Sequence, residues 1–307
     1  MLGAGSRQAP IMSFHRVVVA FDGSHESEAA LALGLRLRDP ADGVLTLACV
    51  VTGQRWHVGP HVRRTDAPVP EEIALMFADA RATMIPSGVH VRQRAPVAPS
   101  PARGLTELAE RENADLIVVG SSRHGEASRV RLERTAGRLL QGASCAVAIA
   151  PGALRETEDF RHVGIAFDGS PEAQAALHAG YEIAARCGAA VTLLWALPAL
   201  GDPLGREARL HADEALDAAA DAAPAAVNPR TLLLHGEPGD VIRRASDGIV
   251  DLLVTGSRGY GPMHRALLGS VSESLAEGSP HPVLVLPRRP APAAGRPAPT
   301  LEAMETR

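Results

Sequence analysis

Short runs of aliphatic and β-branched residues alternate with longer amphipathic segments along almost the whole chain. In the first half the runs are RVVVAF, VLTLACVV, VHVRQRAPV, DLIVVG and AVAIA. In the second they are HVGIAF, AVTLLWAL, PRTLLLHG, DLLVTG and PVLVLP. Runs of this length, bounded by turn residues and too short to be helices, read as strands buried on both faces. The Ala/Leu-rich segments between them carry the helical period. Strands joined by helices predict an α/β fold in which a parallel sheet is covered on both sides. Five such units per half predict two tandem Rossmann-like domains, each an open, doubly wound, five-stranded sheet. In such a sheet ligands lie at the carboxyl ends of the strands, near the topological switch.

The two halves are copies of one another. HRVVVAFDGSHESEAALALG (15–34) aligns with RHVGIAFDGSPEAQAALHAG (161–180), placing Asp22 on Asp168, and the same offset carries VLTLACV onto AVTLLWA. After a length difference around QRWHVGPHVRRTDAPVP, ADLIVVGSSRHG (114–125) aligns with VDLLVTGSRGYG (250–261), and AVAIAP with PVLVLP. The period is a domain, so this is a tandem duplication and not a solenoid. The expected organisation is an N-terminal segment without periodicity (1–13), a first domain (14–151), a linker (152–160), a second domain (161–287) and a Pro/Ala-rich tail (288–307). Both ends are expected to be disordered.

Composition narrows the chemistry. A 307-residue chain with 46% hydrophobic and 21% charged residues is ordinary for a folded protein of two domains. A formal charge of −4 argues against nucleic acid and anionic membrane surfaces as partners. All 31 basic residues are arginine, which excludes lysine Schiff-base chemistry and any lysine-bearing phosphate loop. Cys49, Cys145 and Cys187 are odd in number and widely spaced, and read as buried thiols in a reducing compartment. No signal-peptide core is visible, and no apolar run approaches ~18 residues. A cytoplasmic location is expected.

The densest candidate chemistry is TGSRGYGPMHRALLGSVSE (255–273). Gly256 ends the fourth strand of the second copy, where a Cβ is expected to crowd a ligand crossing the sheet edge. Gly259 and Gly261 are free to take positive φ and turn amide hydrogens toward one point, as an anion-binding nest requires. Gly269-Ser270 then opens a helix, and Ser270-Val271-Ser272-Glu273 fits the capping-box pattern. A helix start offers N–H groups to phosphate, and Arg258 and Arg265 supply the charge that lysine supplies elsewhere. His57 and His61 are broken by Gly59-Pro60 and are not expected to bind metal. No GxSxG elbow is present.

The string GSRGYGPMHRALLGSVSE, with FDGS after the first strand and HGEPGDVI (235–242) after the third, resembles the universal stress protein family. The resemblance covers both copies. It implies an adenine-nucleotide alpha hydrolase-like fold, and its ATP-binding branch carries G-x2-G-x9-G-(S/T), complete in the second copy. By this resemblance ATP, with Mg2+, is the expected cofactor. The strand-one end, Ala166, Phe167, Asp168 and Gly169, meets the nucleoside. Ala196 presents backbone to adenine, although the family commonly has a larger aliphatic residue there. Gly256, Arg258 and Gly259 line the phosphate path, and Gly269, Ser270, Val271 and Ser272 bind the triphosphate. The corresponding first-copy positions are Asp22, Val50 and Gly120. The resemblance also implies that the last strands, AVAIA and PVLVL, pair the two domains; pairing of whole chains into a homodimer stays open.

The first copy departs from the motif. Gly259 aligns with Arg123, and Gly269-Ser270 with Glu133-Arg134. A carboxylate at that helix start repels phosphate, so the first copy is expected to keep the fold and lose the triphosphate. Its arginines 123, 129, 131, 134 and 138 form either a solvated face or another anion site. No general base is evident near the loop: Glu237-Pro238-Gly239-Asp240 reads more simply as a helix start. The leading expectation is an ATP-binding stress-response regulator with hydrolysis absent or slow. A nucleotide-hydrolysing or nucleotidyl-transferring enzyme and an interaction module without nucleotide are the alternatives.

Overall fold

The computed structural model describes residues 14–52, 69–121, 134–152, 154, 158–198, 204–257 and 269–287. The two ends, the histidines 57 and 61, and loop residues Arg123, Glu133, Arg258, Gly259, Gly261 and Arg265 lie outside them. In the first copy the elements are β1 (Arg16–Ala20), α1 (His25–Leu37), β2 (Val44–Ala48), α2 (Glu71–Thr83) and β3 (His90–Arg94). They continue as α3 (Pro101–Glu112), β4 (Leu116–Gly120), α4 (Arg134–Gly142) and β5 (Ala146–Ala150). The second copy repeats the order: β6 (His162–Ala166), α5 (Pro171–Cys187), β7 (Ala190–Leu197), α6 (Leu204–Asp221) and β8 (Pro229–His235). It ends with α7 (Pro238–Ser246), β9 (Leu252–Gly256), α8 (Ser270–Ala276) and β10 (Val283–Leu286).

The strands form one ten-stranded sheet in the order β3-β2-β1-β4-β5-β10-β9-β6-β7-β8. Each half is parallel and doubly wound. β5 and β10 join them antiparallel, with Val147 opposite Val285, Ala148 opposite Leu284 and Ile149 opposite Val283. All three pairs are apolar and buried. One apolar core runs continuously through both halves on the face covered by α1, α2, α5 and α6. The other face carries two separate clusters, one under α3 and α4 and one under α7 and α8. The edges are β3 and β8. β3, HVRQR, departs from the continuously apolar reading because its outer side faces no further strand.

Local signals set the turns. Ser24 and Ser170 cap α1 and α5 by accepting the N–H of Ser27 and Ala173. Gly188, with φ +66, closes α5 in the left-handed region. The aspartate of each (A/V)DL stretch ties the fourth strand to the first. Asp115 accepts the N–H groups of His15 and Arg16, and Asp251 those of Arg161 and His162. Among the described residues, no helix is long and apolar enough to cross a membrane. The thiols depart from expectation in part: Cys145 is buried, whereas Cys49 and Cys187 are only half-buried.

Candidate functional site

In the second copy the switch point lies at β6, which pairs with β7 on one side and β9 on the other. The carboxyl ends of these strands and the starts of α7 and α8 enclose a cleft of about 130 Å3. Its walls include Ala166, Phe167, Asp168, Ala196, Gly256, Val271 and Ser272. Seven residues spread over more than a hundred positions of sequence thus meet at one point, all of them expected there. Gly269 and Ser270 sit at the start of α8 but are not part of the wall.

The FDGS turn is built by its own side chains. Asp168 Oδ1 accepts the Ser170 N–H at 3.0 Å, Gly169 takes φ +75, and Ser170 then caps α5. The first copy repeats this, with Asp22 Oδ1 accepting from both the backbone and the hydroxyl of Ser24. Beneath the second turn lies Trp195, edge-on to Phe167 at 5.7 Å between ring centroids. Pro238 and Ile242 of α7 also line the cleft, beyond the residues that the resemblance implies. Their signal was present in HGEPGDVI, as an apolar residue one turn beyond a proline-started helix. Asp240 does fall in the first turn of α7, paired with Arg243 at 2.6 Å.

One expectation is corrected. The cap of α8 is Gly269, not Ser270, and no side chain caps it. Ser270 is already helical, so the capping box does not form, and the Glu273 N–H goes to the Gly269 carbonyl at 2.9 Å. Ser272 instead donates its buried hydroxyl to the carbonyl of Gly256 at 2.5 Å. Gly256 has a packing reason of its own to be glycine. A Cβ there would stand 2.6 Å from the carbonyl carbon of Glu172 and 2.7 Å from its oxygen. It would collide with the backbone at the first turn of α5. Gly120 is held in the same way by the backbone of Glu26, so its presence in the first copy reports helix packing.

The first copy has its own cleft, about 390 Å3, with Asp22, Val50 and Gly120 in its walls. Cys49 lines it at the position aligned with Trp195, and Ala136 at the position aligned with Ser272. Burial, and then the charge of Asp22, push the Cys49 thiol above its ordinary pKa.

The architecture is that of a duplicated, doubly wound α/β protein with a cleft at each switch point. The universal stress protein family model matches residues 13–151 and again 159–287; the chain belongs to that family. A universal stress protein of Mycobacterium tuberculosis is 26% identical over 294 residues, covering 88% of this chain and 96% of its own length. A shorter one from Thermus aquaticus is 33% identical over 135 residues, covering 41% of this chain and 98% of its own. The crystal structure of a universal stress protein from Archaeoglobus fulgidus DSM 4304 superposes with a TM-score of 0.63 at 19% identity, over 90% of this chain and 99% of that one. At that identity the likeness concerns the fold.

Proposed function

We propose that the chain is an ATP-binding stress-response regulator in which the second copy holds the nucleotide. The observation that carries this reading is the convergence of Asp168, Ala196, Gly256, Val271 and Ser272 on one cleft at the switch point. The apolar walls from Ala166, Phe167, Ala196 and Ile242 suit a base and sugar, and the Asp168 carboxylate is an acceptor for sugar hydroxyls. The start of α8, capped by a glycine with no side-chain partner, leaves first-turn N–H groups for phosphate oxygens. Mg2+ bound with ATP supplies charge neutralisation to the phosphates. Among the described residues of the cleft wall, Asp168 is the sole carboxylate, and one of its oxygens already accepts the Ser170 N–H. That favours slow or absent hydrolysis over turnover.

In this reading the first copy, with Glu133 and Arg134 replacing Gly-Ser, is a structural partner that has given up triphosphate. The joined β5 and β10 make the two copies an internal pair, acting in the cytoplasm without nucleic acid or membrane. The test is to purify the chain, denature it and identify the released nucleotide with its stoichiometry. One ATP per chain is expected. Two would overturn the assignment for the first copy, and AMP or ADP alone would favour turnover.

A further inference from the structure

The end of α1 brings together three metal-ligating side chains that belong to neither cleft. His15 precedes β1, while Asp39 and Asp42 flank the turn that leads into β2. One ligand atom from each lies within 4.8 Å of the others, and His15 Nδ1 is 2.8 Å from Asp42 Oδ1. The aligned positions of the second copy are Arg161, Ala185 and Gly188. The set is therefore peculiar to the first copy.

We propose that His15, Asp39 and Asp42 bind a first-row divalent cation of the Zn2+ class. One imidazole nitrogen with two carboxylate oxygens is a mixed donor set that borderline metals accept, whereas Mg2+ and Ca2+ take oxygen alone. Ligands ~2.0–2.2 Å from zinc stand ~3.4 Å apart in a tetrahedron, so side-chain rotation is enough to close the set. The backbone under all three donors is anchored. Asp39 N–H donates to the Phe14 carbonyl at 2.9 Å, Val44 N–H to the His15 carbonyl at 2.6 Å, and Gly43 N–H to the Asp39 carbonyl at 3.2 Å. Asp39 Oδ1 is oriented by the N–H groups of Ala41 and Asp42. The His15 and Asp42 side chains are 47% and 75% exposed, which leaves the remaining coordination positions to water.

The surrounding charge is mixed. Asp115 accepts the His15 N–H at 2.8 Å and adds a third carboxylate. Arg38 opposes it, donating to the carbonyls of Asp39 and Gly43, with Arg186 behind. Binding weaker than at a buried four-ligand site follows from this balance. The same turn continues from the carbonyls of Arg36, Leu37 and Arg38, on which Arg186 of the second copy rests. A cation here stiffens the end of α1 at the seam between the copies.

The test uses the full chain, stripped with chelator and titrated with ZnCl2 and, separately, MgCl2 by calorimetry. CoCl2 serves as a spectroscopic probe of a nitrogen ligand. One equivalent of Zn2+ is expected, with affinity falling about tenfold or more in His15→Ala and in Asp42→Asn and unchanged in His178→Ala, an exposed histidine elsewhere. MgCl2 should not compete, and Zn2+ should raise the unfolding temperature of the wild type and of His178→Ala but not of His15→Ala or Asp42→Asn. Zn2+ binding by His15→Ala equal to wild type, or no saturable binding below millimolar Zn2+, would overturn the site and leave a surface ion pair. Circular dichroism confirms the fold of each variant, and none touches the nucleotide cleft.

Discussion

The hydroxyl of Ser272, in the first turn of α8, donates to the carbonyl of Gly256, the last residue of β9, at 2.5 Å. This bond fixes where the helix start stands relative to the strand end, and so sets the cleft between them. Ala136 occupies the aligned position of the first copy. Ser272→Ala removes the shorter of two hydroxyl bonds to this buried carbonyl, the Thr255 hydroxyl remaining at 3.2 Å, a cost of about 0.5–1.5 kcal/mol. It is expected to weaken ATP binding about tenfold through lost positioning, read by calorimetry, while circular dichroism stays that of the wild type.

Gly256→Ala and Gly120→Ala test the helix packing at these two glycines. Each added methyl meets the backbone of a helix start, Glu172 in one copy and Glu26 in the other. Overpacking of this kind costs about 1–3 kcal/mol. Both variants should lose stability in urea melts, and Gly120→Ala should do so with ATP affinity unchanged. If Gly120→Ala is as stable as the wild type, glycine is not there for packing.

Arg186 holds the two copies together on the helical face. Its guanidinium donates to the carbonyls of Arg36, Leu37 and Arg38 at 2.8–3.3 Å, capping α1 with a side chain from the other half. Close by, Arg36 lies over the Phe160 ring at 3.9 Å. Arg186→Ala is expected to cost about 2 kcal/mol, measured by urea unfolding. Arg186→Lys should recover only part, since one ammonium cannot span three carbonyls.

Acid should destabilise the fold through two half-buried imidazoles. Burial lowers the pKa of His281 and of His162 below the ordinary histidine value, and His281 Nε2 is buried with no hydrogen-bond partner. The unfolded chain then binds more protons than the folded one between the lowered and ordinary values. Stability is full above about pH 6.5 and falls as pH drops through that window. The unfolding temperature, followed from pH 7.5 to pH 5, should decline, and His281→Leu should flatten part of the slope. An identical slope in that variant would assign the acid sensitivity elsewhere.

Much of this protein is determined by local pattern alone. Strand and helix order, the duplication and the Asp-Gly-Ser turns follow from apolar runs, caps and positive-φ glycines that act over a few residues. The universal stress protein motif likewise named Asp168, Ala196, Gly256 and Ser272 as neighbours before any contact was known. The three-dimensional arrangement decided what those residues do. Gly256 also makes room for the start of α5, which nothing in the chain announces, because nothing in it places Glu172 beside that glycine. The Ser272 hydroxyl's bond was not legible, because its partner, the Gly256 carbonyl, stands sixteen residues away in the chain. Pro238 and Ile242 entered the cleft only because α7 packs on α8, with Gly239 closed against Ser274. The cluster of His15, Asp39 and Asp42 has no spacing to announce it. Hydrophobic period and backbone propensity are read along the chain, whereas steric contact, hydrogen-bond pairing and donor convergence depend on distances that only the folded packing sets.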